Sequence, residues 1–469
     1  MSGRCSCDSC ASARRKRRRH PIVQRFFMRN SVCIFLAVLG LLLAGCGGRG
    51  GGNSSATATM PASAAGAGNG ATTGASSPTP TAPVAVTPNA DATAVPVLSD
   101  APNTAQIKVS STPFGHANAP MVSVRICEPG STTNCATIDN VLVDTGSYGL
   151  RLFSSVIPAA TLAALPPQIT GSNQIAQCAE FDSGFTWGTI RSADVAISGE
   201  LARSVPIQVI GESSVSVPST APSACRINTQ IASPNALGTN GILGIGVLTT
   251  DCPDCANFAV DQAYYACTSG NCVPTVELLS QQVANPVAMF QADNNGVIVE
   301  LPQVADTGAS SSVGTLVFGI DTQANNALSG TGATVIATDQ AGDFNATYKG
   351  SALTGHSFFD SGSNGFFFGE ATIPNSTIPS SLAFLPQGIL SLSVAVTGLN
   401  AASVTVPFSI ANGTSLFNSG NFAFNNLGFS QPGTFDFGLP FFYGRHVYYG
   451  IGGTSSPSGK GPYVAYVSS

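Results

Sequence analysis

The sequence predicts an all-β protein with few short helices, and three observations carry that prediction. From Ile107 onward, short β-branched and aromatic runs such as MVSVRIC, NVLVDT, VPIQVI, GVIVELP, GTLVFGI, LSLSVAVTG, SVTVPFSI and HVYYGIG are broken by Gly, Asn, Ser and Pro, the pattern of strands separated by turns. Only 9% of residues are charged while 43% are hydrophobic, 26 Phe among them, which is ample for a large core. Helix-period patterns are scarce. The clearest is PTVELLSQQVA over 274–284, where Pro274 near the start and apolar residues at helical spacing predict a helix. At 469 residues the chain accommodates two domains and a tail.

Residues 1–45 read as an export leader. A basic run, RRKRRRH (14–20), precedes an apolar run, VCIFLAVLGLLLAG (32–45), too short for a spanning helix and ending in small residues. Met28 opens a leader of ordinary length, so residues 1–27 are either an upstream start or an extended basic region. LAGC at 43–46 resembles the lipobox of bacterial lipoproteins. That resemblance implies cleavage before Cys46 and lipidation of its thiol, hence a membrane partner through lipid. Gly47 stands where an Asp often retains lipoproteins at the inner membrane, so the expected location is the outer membrane of the cell envelope. Residues 46–105 are almost wholly Gly, Ala, Ser, Thr, Pro and Asn. They cannot bury enough apolar surface to offset the ordering entropy, so a flexible lipidated tether is expected.

Of 19 basic and 24 acidic residues, nine and one respectively lie before position 46, which leaves 10 against 23 and a net charge of −13 beyond the leader. Nucleic acid is excluded as a partner, because phosphate binding needs a clustered basic face. Eight cysteines follow Cys46: Cys127, Cys135, Cys178, Cys225, Cys252, Cys255, Cys267 and Cys272. An even set in an exported chain argues for disulfides. Cys127 and Cys135 flank the turn-rich EPGSTTN, whereas CPDCANFAVDQAYYACTSGNC also has outer spacings that a four-thiolate zinc site tolerates. Disulfides are favoured, and their connectivity stays open. No phosphate-cradling glycine loop and no His and Glu pair at metal spacing occurs, so no cofactor and no metal is expected.

The chemistry-bearing feature is a repeat. VLVDTGSYGLRLF (141–153) places Asp144 behind three apolar residues, and FFDSGSNGFFFG (358–369) places Asp360 behind two phenylalanines. Gly146 and Gly362 permit a sharp loop and close approach of a neighbour. Thr145, Ser147, Ser361 and Ser363 supply hydroxyls that hydrogen-bond the loops and the carboxylates. If the loops face each other, two carboxylates cannot both ionise cheaply, so one proton is shared. Such a pair can deprotonate a water and protonate a leaving amine. DTGAS at 306–310 is a decoy: no apolar strand delivers Asp306, and a surface loop is expected. His116, His356 and His446 are scattered, which predicts packing or surface roles.

In ordered motifs the chain resembles the two-lobed, pepsin-like aspartic peptidases from about 107 to 460. Beyond the two Asp loops, GTNGILGIGV (238–247), with Gly241 and Gly244, resembles the segment that threads under the first catalytic loop. VPTVELLSQQVANPVAMFQADNNG followed by GTLVFGIDT, and FDFGLPFFYGRHVYYGIGG (435–453), resemble later elements in the same order. The resemblance implies a first lobe over 106–320, a second over 321–469, a cleft between them, and Asp144 and Asp360 as the catalytic pair. It also implies a flap hairpin at CAEFDSGFTWGTI, where Gly184 matches a flap glycine and Phe181 stands in place of the usual tyrosine. The family's partner Trp is replaced by Arg151, and the sole Trp, Trp187, lies in the flap itself. The expected function is aspartic endopeptidase action on a polypeptide. The alternative is a catalytically inactive protein of this fold that binds a polypeptide or saccharide, since a fold alone does not fix an activity.

Overall fold

The structure, a computed structural model, describes residues 100–111, 113–212, 225, 229–268, 271–376 and 382–467. The leader, Cys46 and the tether up to residue 99 lie outside the described residues. The chain is all-β with a few short helical turns. Among the described residues, strands form a 16-stranded sheet, a seven-stranded sheet and a two-stranded ribbon, and the larger sheets curl in a barrel-like manner. The strands that alternation predicts are present, among them Met121–Cys127, Gly296–Leu301, Leu390–Thr397 and Ser403–Ile410. The first strand of the body begins at Thr104, two residues ahead of the expected start.

The two carboxylate loops sit in the same four-strand weave. Cys135–Asp144 runs parallel to Gly241–Ile245, which is antiparallel to Tyr148–Phe153, itself parallel to Glu200–Ile210. In the second half, Ser351–Phe359 runs parallel to Phe435–Phe437, antiparallel in turn to Phe366–Phe368, itself parallel to Gly428–Ser430. Both weaves therefore thread a strand between the two arms of an Asp loop. That strand must pass close: a Cβ on Gly244 would lie 2.5 Å from the Tyr148 amide nitrogen, so only glycine fits there.

An antiparallel set joins the halves in the order Thr104–Ser110, Ser311–Phe318, Gly296–Leu301, Arg445–Gly450, Tyr463–Tyr466 and Thr334–Ala337. The sheet thus runs across position 320 without interruption. One apolar core extends through both halves, aliphatic in the first and phenylalanine-rich in the second. Sixteen of the 26 Phe lie beyond residue 320, and Phe359, Phe368, Phe435, Phe437 and Phe441 pack there as stacked and edge-on rings.

The helix expected over 274–284 does not form. Asn271–Pro274 is a strand, and only Leu279–Gln281 makes a short 3₁₀ turn. Tertiary pairing overrides the helical period: Thr275 donates its amide to Tyr264 O at 2.9 Å and Glu277 to Cys255 O at 2.8 Å. Val276, Leu278 and Leu279 are exposed while Glu277 is buried, the reverse of what the amphipathic reading requires. The eight cysteines pair as Cys127–Cys135, Cys178–Cys225, Cys252–Cys255 and Cys267–Cys272, so the cysteine run at 252–272 is spent on disulfides.

Candidate active site

Asp144 ends its strand and Asp360 directly follows Phe359, so each weave delivers one carboxylate to a tight loop. The two loops hold their carboxylates alike. Oδ1 of Asp144 accepts the Gly146 amide at 2.8 Å, and Oδ1 of Asp360 accepts the Gly362 amide at 2.8 Å. Oδ2 accepts the Ser147 hydroxyl at 2.6 Å in the first and the Ser363 hydroxyl at 3.0 Å in the second.

The loops face each other. The Gly146 amide is also directed at Asp360 Oδ1, 3.1 Å away. A Cβ on Gly146 would come within 2.5 Å of Asp360 Cγ, and one on Gly362 within 2.7 Å of Asp144 Cγ. Both glycines are therefore dictated by the opposing carboxyl rather than by their own backbone angles. A reciprocal grip locks this arrangement: Thr145 donates its amide to Ser361 Oγ at 3.1 Å, and Ser361 donates its amide to Thr145 Oγ1 at 2.8 Å. The grip is asymmetric at its ends. Ser361 Oγ donates directly to Val143 O at 2.7 Å, whereas Thr145 Oγ1 donates to the Tyr449 hydroxyl at 3.1 Å, which passes the bond to Phe359 O at 3.1 Å. Sequence reasoning missed Tyr449, because nothing in HVYYGIG marks a partner 304 residues away.

Asp144 is buried and Asp360 partly exposed. Burial first, then the negative charge of Asp360 and a hydrogen bond with that carboxyl, raise Asp144 from 3.8 to about 8, while the Ser147 hydroxyl and Gly146 amide pull downward. The pair thus holds a proton across the acidic and neutral range, because two adjacent carboxyls cannot both carry charge without a large electrostatic cost.

The segment in which a flap is expected forms a hairpin of Asn173–Phe181 and Gly184–Ile197 closed by the pair Phe181 and Gly184. Phe181 and Ser147 border one cavity, which places the hairpin beside the first carboxylate loop. Arg151 sits 5.8 Å from the Phe181 ring centroid and forms a buried ion pair with Asp251 at 2.7 Å. Arg151 thus makes a cation–π contact with Phe181 while its charge is met by Asp251. Asp251 also accepts the Tyr264 hydroxyl at 2.6 Å and the Gln177 amide, a network the sequence did not reveal. Trp187 faces an apolar cluster with Cys178, Cys225 and Tyr265, its ring 5.3 Å from Tyr265, and does not line the cavity. The hairpin is tied down on both sides. Tyr264–Thr268 pairs with its outer edge, and the Phe185 amide donates to Thr229 O at 3.1 Å.

The remaining candidates separate from this centre. Asp306 lies in a partly exposed turn where Asn425 reaches it at 3.4 Å. His356 is exposed, His446 lies 3.9 Å from Glu300, and His116 is buried, which lowers its pKa.

A family model described as a protein of unknown function, DUF3443, matches residues 99–466. The chain belongs to that family. A search of curated proteins found no match.

Proposed function

We propose that this protein is a two-lobed, pepsin-like aspartic endopeptidase in which Asp144 and Asp360 together activate water. The observation that carries the reading is the facing pair of loops, with the Gly146 amide directed at both carboxylates and each glycine excluded from being anything larger by the opposite carboxyl. A water between the carboxyls gives its proton to Asp360 as its oxygen attacks the peptide carbonyl, while the proton held on Asp144 moves to the carbonyl oxygen. The tetrahedral species then collapses as the amine takes a proton from the pair and the C–N bond breaks. Gly146 and Gly362 amides and the Ser147 and Ser363 hydroxyls keep both carboxylates in register throughout.

The test is cleavage of an unfolded protein pool by the purified protein at acidic pH, with and without a statine-type inhibitor. Inhibitor-sensitive cleavage that disappears in Asp144→Asn and Asp360→Asn is expected. A second reading, a binder of polypeptide or saccharide without cleavage, is favoured by the tied hairpin, which restricts opening of the cleft. Ligand retention with no cleavage by a folded protein would select it.

The cell-envelope reading belongs to the same proposal and rests on LAGC at 43–46. Cys46→Ser should abolish fatty-acid labelling and leave the precursor uncleaved; labelling that persists would remove the lipid anchor from the reading.

A further inference from the structure

Ser147, whose hydroxyl holds Asp144 at 2.6 Å, is followed at once by the strand Tyr148–Phe153, the arm by which the chain leaves the first carboxylate loop. Arg151 lies on that arm and is buried. Its guanidinium turns back on the loop exit, with Nη1 donating to Tyr148 O at 2.6 Å and to Gly149 O at 3.4 Å, while Nη2 pairs with Asp251 at 2.7 Å. The same guanidinium lies 5.8 Å from the ring of Phe181 at the hairpin tip.

Asp251 gathers the other side. Its carboxylate accepts the Gln177 amide from the first hairpin strand, and the Tyr264 hydroxyl at 2.6 Å from the strand on the hairpin's outer edge. Tyr264 in turn accepts the Val283 amide at 2.7 Å, and Val283 packs so tightly on the arm that a Cβ on Gly149 would overlap it. Arm, Asp251, hairpin strand and Val283 thus close a ring of contacts around the exit of the Asp144 loop. Stability does not account for the ion pair in this ring. Taking two charges out of water costs about as much as their attraction returns, and apolar side chains of similar volume commonly do as well or better. What the pair supplies is direction, because the planar fork of an arginine addresses a carbonyl and a carboxylate at fixed angles.

We infer that Arg151 and Asp251 are positioning residues of the candidate site, holding the hairpin and the exit of the first carboxylate loop in fixed register so that Ser147 keeps Asp144 in place opposite Asp360. The inference rests on the peptidase reading for its kinetic consequence, but the register itself is testable without catalysis. A misplaced carboxyl acts on bond breaking rather than on substrate binding, so kcat carries the loss.

The experiment compares the full protein with Arg151→Met/Asp251→Asn, which removes both charges, fills the space of the arginine stem and leaves an acceptor for Tyr264. The melting temperature should stay within a few degrees of the native value. In contrast, kcat for a peptide substrate should fall about tenfold to a hundredfold, with KM changed by less than about threefold. Arg151→Lys keeps a charge for Asp251 without the fork and should recover part of the loss. Hydrogen exchange read by mass spectrometry is the arm that needs no catalysis. Amides of Asn173–Phe181, Gly184–Ile197 and residues 144–153 should exchange faster in the double variant, while those of Leu390–Thr397 and Ser403–Ile410 stay unchanged. Three results overturn the positioning role: an unchanged kcat in a protein that cuts, exchange that does not rise in the hairpin and loop, or exchange that rises throughout with a collapsed melting temperature. If the native protein cuts nothing, the peptidase reading fails and exchange alone decides, local loosening sustaining the register and its absence overturning it. If the double variant does not fold, Arg151→Lys takes its place under the same criteria.

Discussion

The loops that present Asp144 and Asp360 are built from the same parts and live in different surroundings. Each carboxylate accepts one glycine amide two residues on and one serine hydroxyl three residues on, and each is threaded by the same weave of strands. Around the first, the core is aliphatic and all four disulfides lie between Cys127 and Cys272. Around the second, phenylalanines fill the core. The first half also carries carboxyls pushed upward by burial: Asp144, Glu180 and Glu277. The second carries Asp321 and Glu370, held down to about 2 by hydrogen bonds that outweigh their own burial. The repeat therefore fixes the geometry of the pair, while burial sets Asp144 apart from the partly exposed Asp360.

Breaking the equivalence of the loops has the largest effect. Asp144→Asn and Asp360→Asn should each remove nearly all cleavage, by orders of magnitude, since a lone carboxyl cannot serve as both base and acid. The double variant should be no worse than either single one, as for groups that act as a unit. Rates from inhibitor-controlled digests decide this, and Asp306→Asn is the internal control. Losses that multiply would show two independent sites rather than a pair.

The glycines come next. Gly146→Ala and Gly362→Ala each push a methyl into the opposing carboxyl, and overpacking of this kind costs about 1–3 kcal/mol. Nearly equal losses in denaturant midpoint, with activity lost in both, would confirm that the loops are equivalent at this point. A stability cost of the same order follows for the asymmetric end of the grip. Tyr449→Phe leaves Thr145 Oγ1 without its acceptor and Phe359 O without its donor, whereas Ser361→Ala orphans the Thr145 amide and Val143 O. Each should cost about 1–3 kcal/mol in urea unfolding, with Ser361→Ala the larger because it strands a backbone amide.

Much of this arrangement is legible in the sequence, and the reasons are local. A strand of alternating or continuous β-branched residues announces itself by period, so Met121–Cys127 and Ser403–Ile410 are where the pattern puts them. An Asp behind an apolar strand with Gly two residues on carries its own loop chemistry, and so the two loops that face each other could be named. What stayed hidden depends on distant partners. Tyr449 reaches Thr145 only through the joining sheet. The segment at 274–284 has a helical period but is held extended by Tyr264 and Cys255. Nor does the sequence mark Glu180 as a carboxyl whose oxygens are buried without a hydrogen-bond partner among the described residues.

The opposed carboxyls of the two halves give the smallest and most distributed effect, a stability curve with two limbs. In the first half the folded values lie above the unfolded ones: Asp144 and Glu180 rise from 3.8 and 4.5 to about 8, and Glu277 from 4.5 to about 7. Their stabilising contribution is complete below about pH 4 and is lost as pH rises through 7 to 8. In the second half Asp321 and Glu370 fall from 3.8 and 4.5 to about 2. Their contribution is present above about pH 4 and is lost as pH falls through 2. Both limbs together place the highest melting temperature in the mildly acidic range, with a decline on either side. Glu277→Gln should raise the melting temperature at pH 8 relative to the native protein and change little at pH 4, since Gln keeps a partner for Gln168. Glu370→Gln should do the reverse. It loses the Lys349 ion pair and weakens the bonds from Tyr348 and Thr372, so its deficit is visible at pH 6 and vanishes near pH 2. Scanning fluorimetry of the three proteins across that range checks both signs. If Glu277→Gln instead lowers the melting temperature at pH 8, or the Glu370→Gln deficit persists at pH 2, the contrast between the halves does not hold.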